Sequence, residues 1–305
     1  MRYHVRHATR YSYGTDVVHS HQLLHLIPRP APYQLCLEHS LAISPRPSRR
    51  HDDTDAFGNP VSRIEIEHPH RALEVTTEMQ IELHARPALP VAESAPWERV
   101  AARLAYRGNG PARNDLEASR FRHESTYVRV KRAFTEYAAE CFPSGGPILA
   151  CAEALMAKLH GEFRYAPGET TIATPLTEVL AGRRGVCQDF AHLMIACLRS
   201  RGLAARYVSG YVRMLECPEE VARDAPADSA TTLRGGAASH AWVSVYSPPF
   251  GWVELDPTNN ARVVTDHIAV AWGRDFGDVS PLRGVILGGG THELSVDVSV
   301  TLIPS

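Results

Sequence analysis

At 305 residues the chain has room for two domains and a sizeable core, and with 44% hydrophobic and 22% charged residues it has the composition of an ordinary globular protein. A net charge of −2 gives no electrostatic case for nucleic acid or an anionic membrane surface as partner, and no run is long and apolar enough to span a bilayer. Met1–His7 lacks the apolar core of a signal peptide, and the six cysteines (36, 141, 151, 187, 197, 217) show no CxxC spacing, so free thiols in a reducing cytoplasm are expected.

Taken in chain order, residues 1–88 are predicted to be a β-rich N-terminal domain. Period-two runs put Leu35, Leu37, Leu41 and Ile43 on one strand face and Leu73, Val75, Met79, Ile81 and Leu83 on another. A linker carrying Pro87, Pro90 and Pro96 follows. A second domain, 97–305, starts with a helical part over 97–181. It includes a helix over 147–159 with Pro147 at its start and a short helix after Thr174-Pro175, with Thr174 as cap. The core, 182–305, contains a helix after Gly185, a strand near 205–212, a hairpin over 240–256 and a final alternating strand over 294–302. Helices followed by an antiparallel sheet make an α+β core.

The chemistry concentrates in that core. After Cys187 the apolar residues Phe190, Leu193, Met194, Cys197 and Leu198 follow helical spacing, and Gly202 supplies a stop, so Cys187 sits in the first turn of a helix. A helix N-terminus offers unpaired N–H groups and partial positive charge, both of which favour a thiolate nucleophile and could hold an oxyanion. His240-Ala-Trp-Val-Ser-Val-Tyr246 and Trp252-Val-Glu-Leu-Asp256 alternate with period two around the turn-forming Ser247-Pro-Pro-Phe-Gly251, which predicts an antiparallel hairpin. If Tyr246 faces Phe250 or Trp252, His240 and Asp256 share a face, opposed or one diagonal step apart, with Cβ atoms roughly 5 to 8 Å apart. A register shifted by one residue separates them. Taken singly, each of the three has a plainer reading, as core thiol, strand histidine or turn-forming aspartate. Together they are the parts of a nucleophilic cysteine site.

Gly185-Val-Cys-Gln-Asp-Phe-Ala-His-Leu193, Ala205-Arg-Tyr-Val-Ser-Gly-Tyr211, Ser239-His-Ala-Trp-Val243 and Gly251-Trp-Val-Glu-Leu-Asp-Pro-Thr-Asn259 resemble, in order and spacing, the bacterial transglutaminase-like superfamily. Leu26-Ile-Pro-Arg29 and Asp55-Ala-Phe-Gly-Asn59 resemble its β-rich N-terminal domain. Gly273-Arg-Asp-Phe-Gly-Asp-Val279 resembles its C-terminal segment, with Phe276 in place of an expected Tyr. The resemblance implies a papain/transglutaminase-like core and a triad of Cys187, His240 and Asp256. It leaves the reaction open, because the superfamily includes transamidating enzymes, peptidases, amidases and inactive members.

The expected reaction is acyl transfer at amide bonds through a thioester, by hydrolysis of a peptide or protein substrate without a cofactor or metal. The alternatives are transamidation of protein glutamine to an amine, and a catalytically silent peptide- or partner-binding module. Tyr165 and Gln188 are candidate second oxyanion donors, and Trp242 a candidate wall of the substrate cleft, although the sheet core is the plainer place for an aromatic at its position. The acidic, glycine-bearing stretch 216–239 reads as a loop beside the cleft. His19, His21 and His25 invite a metal site but read as solvated or cross-strand-paired histidines, since no cysteine or carboxylate cluster joins them in sequence. Asp53, Asp55 and Gly58 fail as a calcium loop, and Gly288-Gly-Gly290 fails as a phosphate loop.

Overall fold

The computed structural model describes residues 1–105, 113–213 and 239–304. Its N-terminal sheet is built on one long strand, β1 (Arg2–Leu24), in which Tyr3, Val5, His7 and Thr9 point inward at every second position. Around it lie β2 (Gln34–Ser44), β3 (Arg49–Thr54), β4 (Pro60–Ile66) and β5 (His70–Leu83), in the order β2-β5-β1-β4-β3. On β5 the expected set from Leu73 to Leu83 is buried. On β2 it is not: a bulge between Cys36 and Glu38 shifts the register, leaving Leu35 and Leu37 exposed while Leu41 and Ile43 pack inward. An inserted residue breaks the alternation that the sequence pattern assumes.

The helical part contains α1 (Trp97–Leu104), α2 (Arg113–Ser119), α3 (Arg132–Tyr137), α4 (Ile148–Glu162) and α5 (Leu176–Gly182). Pro175, not Thr174, occupies the cap position of α5, because the Thr174 hydroxyl accepts instead from the Thr171 N–H. A two-strand parallel ladder joins β6 (Arg164–Tyr165) to β7 (Arg184–Gly185) and leads into α6 (Cys187–Ser200). This helix is buried almost all round, with Phe190, Leu193, Met194, Ile195, Cys197 and Leu198 all inside. A helix apolar on every side belongs at the centre of a core. It packs on α3, α4 and α5 and on the sheet formed by β8 (Ala205–Val212) and β9 (His240–Ser247). That sheet continues through β10 (Gly251–Asp256), β11 (Ala261–Arg262) and β12 (His267–Gly273), in the order β11-β10-β9-β8-β12.

The chain then passes through α7 (Phe276–Val279) to β13 (Leu282–Gly288) and β14 (His292–Ile303). Both strands pair with β1, so residues 282–303 complete the N-terminal sheet rather than extending the 97–305 domain as expected. Gly288, Gly289 and Gly290 all have positive φ and make the turn between the two strands.

The two sheets are stitched at β12, an edge strand. The Gln34 carboxamide both accepts from the Ala269 N–H and donates to the Ala269 carbonyl; the Asn59 carboxamide does the same to Trp272. Two N-terminal side chains thus imitate a neighbouring strand and satisfy the edge. The Arg29 guanidinium lies 3.0 Å from the Trp272 ring centroid and donates to the Asn59 side chain. This explains locally why Leu-Ile-Pro-Arg and Asp-Ala-Phe-Gly-Asn occur where they do.

Candidate active site

Gly185 sets the position of the thiol. A Cβ at residue 185 would lie 2.6 Å from Asp189 Oδ2 and 2.7 Å from its Cβ, so only glycine lets the chain turn this closely into α6. The Asp189 carboxylate accepts from the Val186 N–H at 2.8 Å and the Thr170 hydroxyl at 2.6 Å. Burial pushes the Asp189 carboxyl up despite those lowering hydrogen bonds. The Asp189 and Phe190 N–H groups both donate to the Val186 carbonyl, so the amides of Cys187 and Gln188 precede the first intrahelical bonds.

The hairpin register pairs Trp252 with Tyr246 and Leu255 with Val243, one of the two registers that keep His240 and Asp256 on a common face. His240 Nε2 lies 2.8 Å from Asp256 Oδ2, with both side chains sealed from solvent. An ionised carboxylate only accepts, so Nε2 carries the proton in this bond. His240 Nδ1 is buried and has no hydrogen-bond partner of good geometry. Burial pulls the imidazole down, but the Asp256 charge, the bond to Asp256 and the Cys187 sulfur outweigh it and push His240 to about 10. Cys187 itself is 8% exposed. The structure therefore brings the three predicted residues together.

Asp256 is held more firmly than the sequence suggested. Its Oδ2 also accepts from Asn259 Nδ2 at 2.7 Å and from His267 Nε2 at 2.9 Å; Oδ1 accepts from the Thr258 N–H at 2.9 Å. Burial raises the Asp256 carboxyl, yet the His240 charge and the bonds from His240 and His267 hold it well below the usual carboxylate range. His160 Nδ1 fixes the turn after Asp256 through the Thr258 carbonyl, 2.9 Å away. Sequence reasoning missed His267 and His160. His267 opens β12 and faces Val212 of β8, a pairing that no local pattern indicates. Asn259, in the Asp-Pro-Thr-Asn turn, carried a signal, since such side chains commonly bond back to nearby backbone and side-chain groups.

Trp242 does not line a cleft. It is wholly buried; its indole N–H donates to Glu254 at 2.8 Å and its ring stacks behind His240 with centroids 6.1 Å apart. A Trp in the middle of an enclosed strand is spent on packing and on satisfying its one donor. Tyr165 is half-buried on β6, whose ladder partner Gly185 stands two residues before Cys187. Gln188 lines a cavity of ≈ 350 Å³ beside the first turn of α6, together with Tyr127, Arg129, Lys131, Asp189 and His192. His192, buried beneath this cavity, accepts from the Phe276 N–H at 3.1 Å, which ties α7 to the site. The 216–239 loop, apart from Ser239, lies outside the described residues.

Two groups of side chains among the described residues could hold a metal ion: His240, Asp256 and His267, and His19, His21 and Glu65. In the first, the donor atoms are engaged in the hydrogen bonds just described. No helix of the described residues is long and apolar enough to cross a membrane.

The family model for the bacterial transglutaminase-like N-terminal region matches residues 3–82, and that for the transglutaminase-like superfamily core matches residues 135–257. An uncharacterized protein of Mycobacterium tuberculosis (strain H37Rv) is 38% identical, the match covering 99% of this chain and 93% of that one. One from Mycobacterium leprae is 30% identical over 98% of both chains. Over 113 residues, 35% of this chain and 16% of the relative, the sequence is 31% identical to a protein of Pseudomonas aeruginosa named protein-glutamine gamma-glutamyltransferase. A crystal structure from Cytophaga hutchinsonii, named "a Putative Cysteine Protease", superposes with a TM-score of 0.70 at 17% identity, covering 100% of this chain and 91% of that one, and shares its fold. With matched domains at both positions and relatives aligned end to end, the chain belongs to the transglutaminase-like superfamily, its core preceded by the bacterial N-terminal region of that family.

Proposed function

We propose that the protein is a cysteine hydrolase that cleaves amide bonds of a peptide or protein through a thioester on Cys187. The observation that carries this reading is the hydrogen bond from His240 Nε2 to Asp256, which leaves Nδ1 as the nitrogen that exchanges a proton with Cys187. At rest His240 Nδ1 already holds the thiol's proton, as an imidazolium beside the Cys187 thiolate, and Sγ attacks the carbonyl carbon. The oxyanion forms against the Cys187 and Gln188 amides, with Tyr165 as a further donor. The imidazolium returns its proton to the leaving nitrogen as the C–N bond breaks, and the thioester remains. Water then attacks, giving its proton to His240; the C–S bond breaks and the carboxylic acid leaves. Asp256 keeps the imidazole in the required tautomer and supports its charge.

Water is taken as the acceptor, being present at far higher concentration than any amine. Transamidation is the second reading, favoured by the partial similarity to the Pseudomonas aeruginosa protein-glutamine gamma-glutamyltransferase. A reducing compartment such as the cytoplasm suits an unprotected nucleophile, and the five cysteines among the described residues are all free thiols.

The test is to incubate the protein with a panel of peptide and isopeptide amides, with and without a primary amine, alongside thiol-directed labelling at neutral pH. The expected outcome is acid release that added amine leaves in the majority, and Cys187 labelling that falls at least tenfold in His240→Ala, an order-of-magnitude expectation for loss of the base. Predominant amide exchange supports the second reading. Equal labelling in both proteins, with no turnover, would leave a binding module.

A further inference from the structure

Away from the active site, the outward face of β1 carries a second convergence of titratable side chains. His19 and His21 are alternate residues of one strand, and Glu65 stands directly opposite His21 in the β1–β4 ladder. The sequence provides the two histidines; only strand pairing adds the carboxylate that the sequence reading found lacking. His25 takes no part, since its ring bonds the Ser280 carbonyl and Asp55 instead. The two Nε2 atoms face each other at 2.6 Å, and Glu65 Oε1 lies 3.5 Å from His19 Nε2 and 3.3 Å from His21 Nε2. At that separation one nitrogen donates a hydrogen bond and the other accepts it.

We propose that His19 Nε2, His21 Nε2 and Glu65 Oε1 form a binding site for a divalent transition-metal ion of the Zn²⁺ class. Imidazole with carboxylate is a donor set suited to Zn²⁺, Ni²⁺ and Co²⁺ rather than to Mg²⁺ or Ca²⁺. Bonds of about 2.0–2.2 Å at tetrahedral angles put ligand atoms roughly 3.3 Å apart. The two carboxylate–imidazole separations already match this. The imidazole pair must open by less than an ångström, which side chains 37% and 60% exposed can do by rotation. Water fills the remaining position. Nearby positive charge tempers the affinity: Arg49 lies 3.6 Å from Glu65 Oε2, while Arg50 and Arg63 are paired to Asp52 and Asp53 of β3. The ion would clamp β1 to β4 where β1 also carries β13.

The full chain, stripped of metal, is titrated with Zn²⁺ by calorimetry and with Co²⁺ by visible absorption. The expected result is one equivalent with a Co²⁺ spectrum lacking thiolate charge transfer, which excludes Cys36 and Cys187 as ligands. His21→Ala and Glu65→Gln each weaken that equivalent by at least about tenfold, as loss of a metal-site partner does, while His240→Ala retains it. His19 is partly and His21 largely exposed, Glu65 is mostly buried, and unchanged circular dichroism shows that the variants are folded. The proposal is overturned if wild type binds no equivalent, or if the equivalent survives in His19→Ala/His21→Ala and vanishes in His240→Ala.

Discussion

At the scale of single residues, the proposed chemistry rests on the state of His240. Three side-chain donors converge on Asp256 Oδ2, so that oxygen is a fixed negative charge behind the imidazole. Asp256→Asn is expected to lower kcat by about 10⁴-fold, the cost of the wrong tautomer in a triad. The amide nitrogen would confront donors and invite His240 to turn over. A pH profile separates this from misfolding. His240 is raised to about 10, so its charge stabilises the resting site below its ordinary value near 6.5 and is lost as pH rises through about 10. The alkaline limb of kcat/KM should therefore lie near 10 in the wild type and move downward in Asp256→Asn. An unmoved limb would mean that the carboxylate does not set the imidazole's charge.

At the scale of elements, the start of α6 was legible from Gly185 and the helical spacing after Cys187, because turn geometry and amphipathic period are settled within a few residues. The reason for the glycine was not legible, since the Asp189 carboxylate folds back onto it only in three dimensions. Gly185→Ala should cost about 1–3 kcal/mol, the usual range for forced overpacking. It should also lower activity more than an equally destabilising substitution far from α6, measured by chemical denaturation alongside kcat. The hairpin register was left between two choices by sequence, and cross-strand packing of Tyr246 with Trp252 settled it. Trp242 was read as either cleft wall or, more plainly, sheet core; it lies in the core, because strand alternation shows which residues share a face but not whether another layer covers that face.

At the scale of the whole molecule, the buried histidines His7 and His192 connect the layers. His7 bonds Tyr211 of the second sheet, and His192 receives the Phe276 N–H. Burial lowers both to about 4; for His192 the pull of Asp275 opposes it and Arg199 reinforces it. Both stay neutral in the fold while the unfolded chain takes up protons, so stability is full above about 6.5 and is lost as pH falls towards 4, at about 1.4 kcal/mol per pH unit for each group. His192→Gln should flatten that acid slope, read by denaturant titration at a series of pH values. An unchanged slope would show that His192 is protonated in the fold.

The helix turn that carries Cys187, the hairpin that carries His240 and Asp256, and the β-rich start were legible in the sequence, because each depends on local spacing along the chain. Tertiary structure alone decided that His267 joins Asp256, that Gln34 and Asn59 close the edge of β12, that β13 and β14 return to β1, and that Glu65 meets His19 and His21. The reason is physical: periodicity fixes which face a side chain takes, whereas the identity of the strand across from it depends on how distant segments bury their remaining surface together.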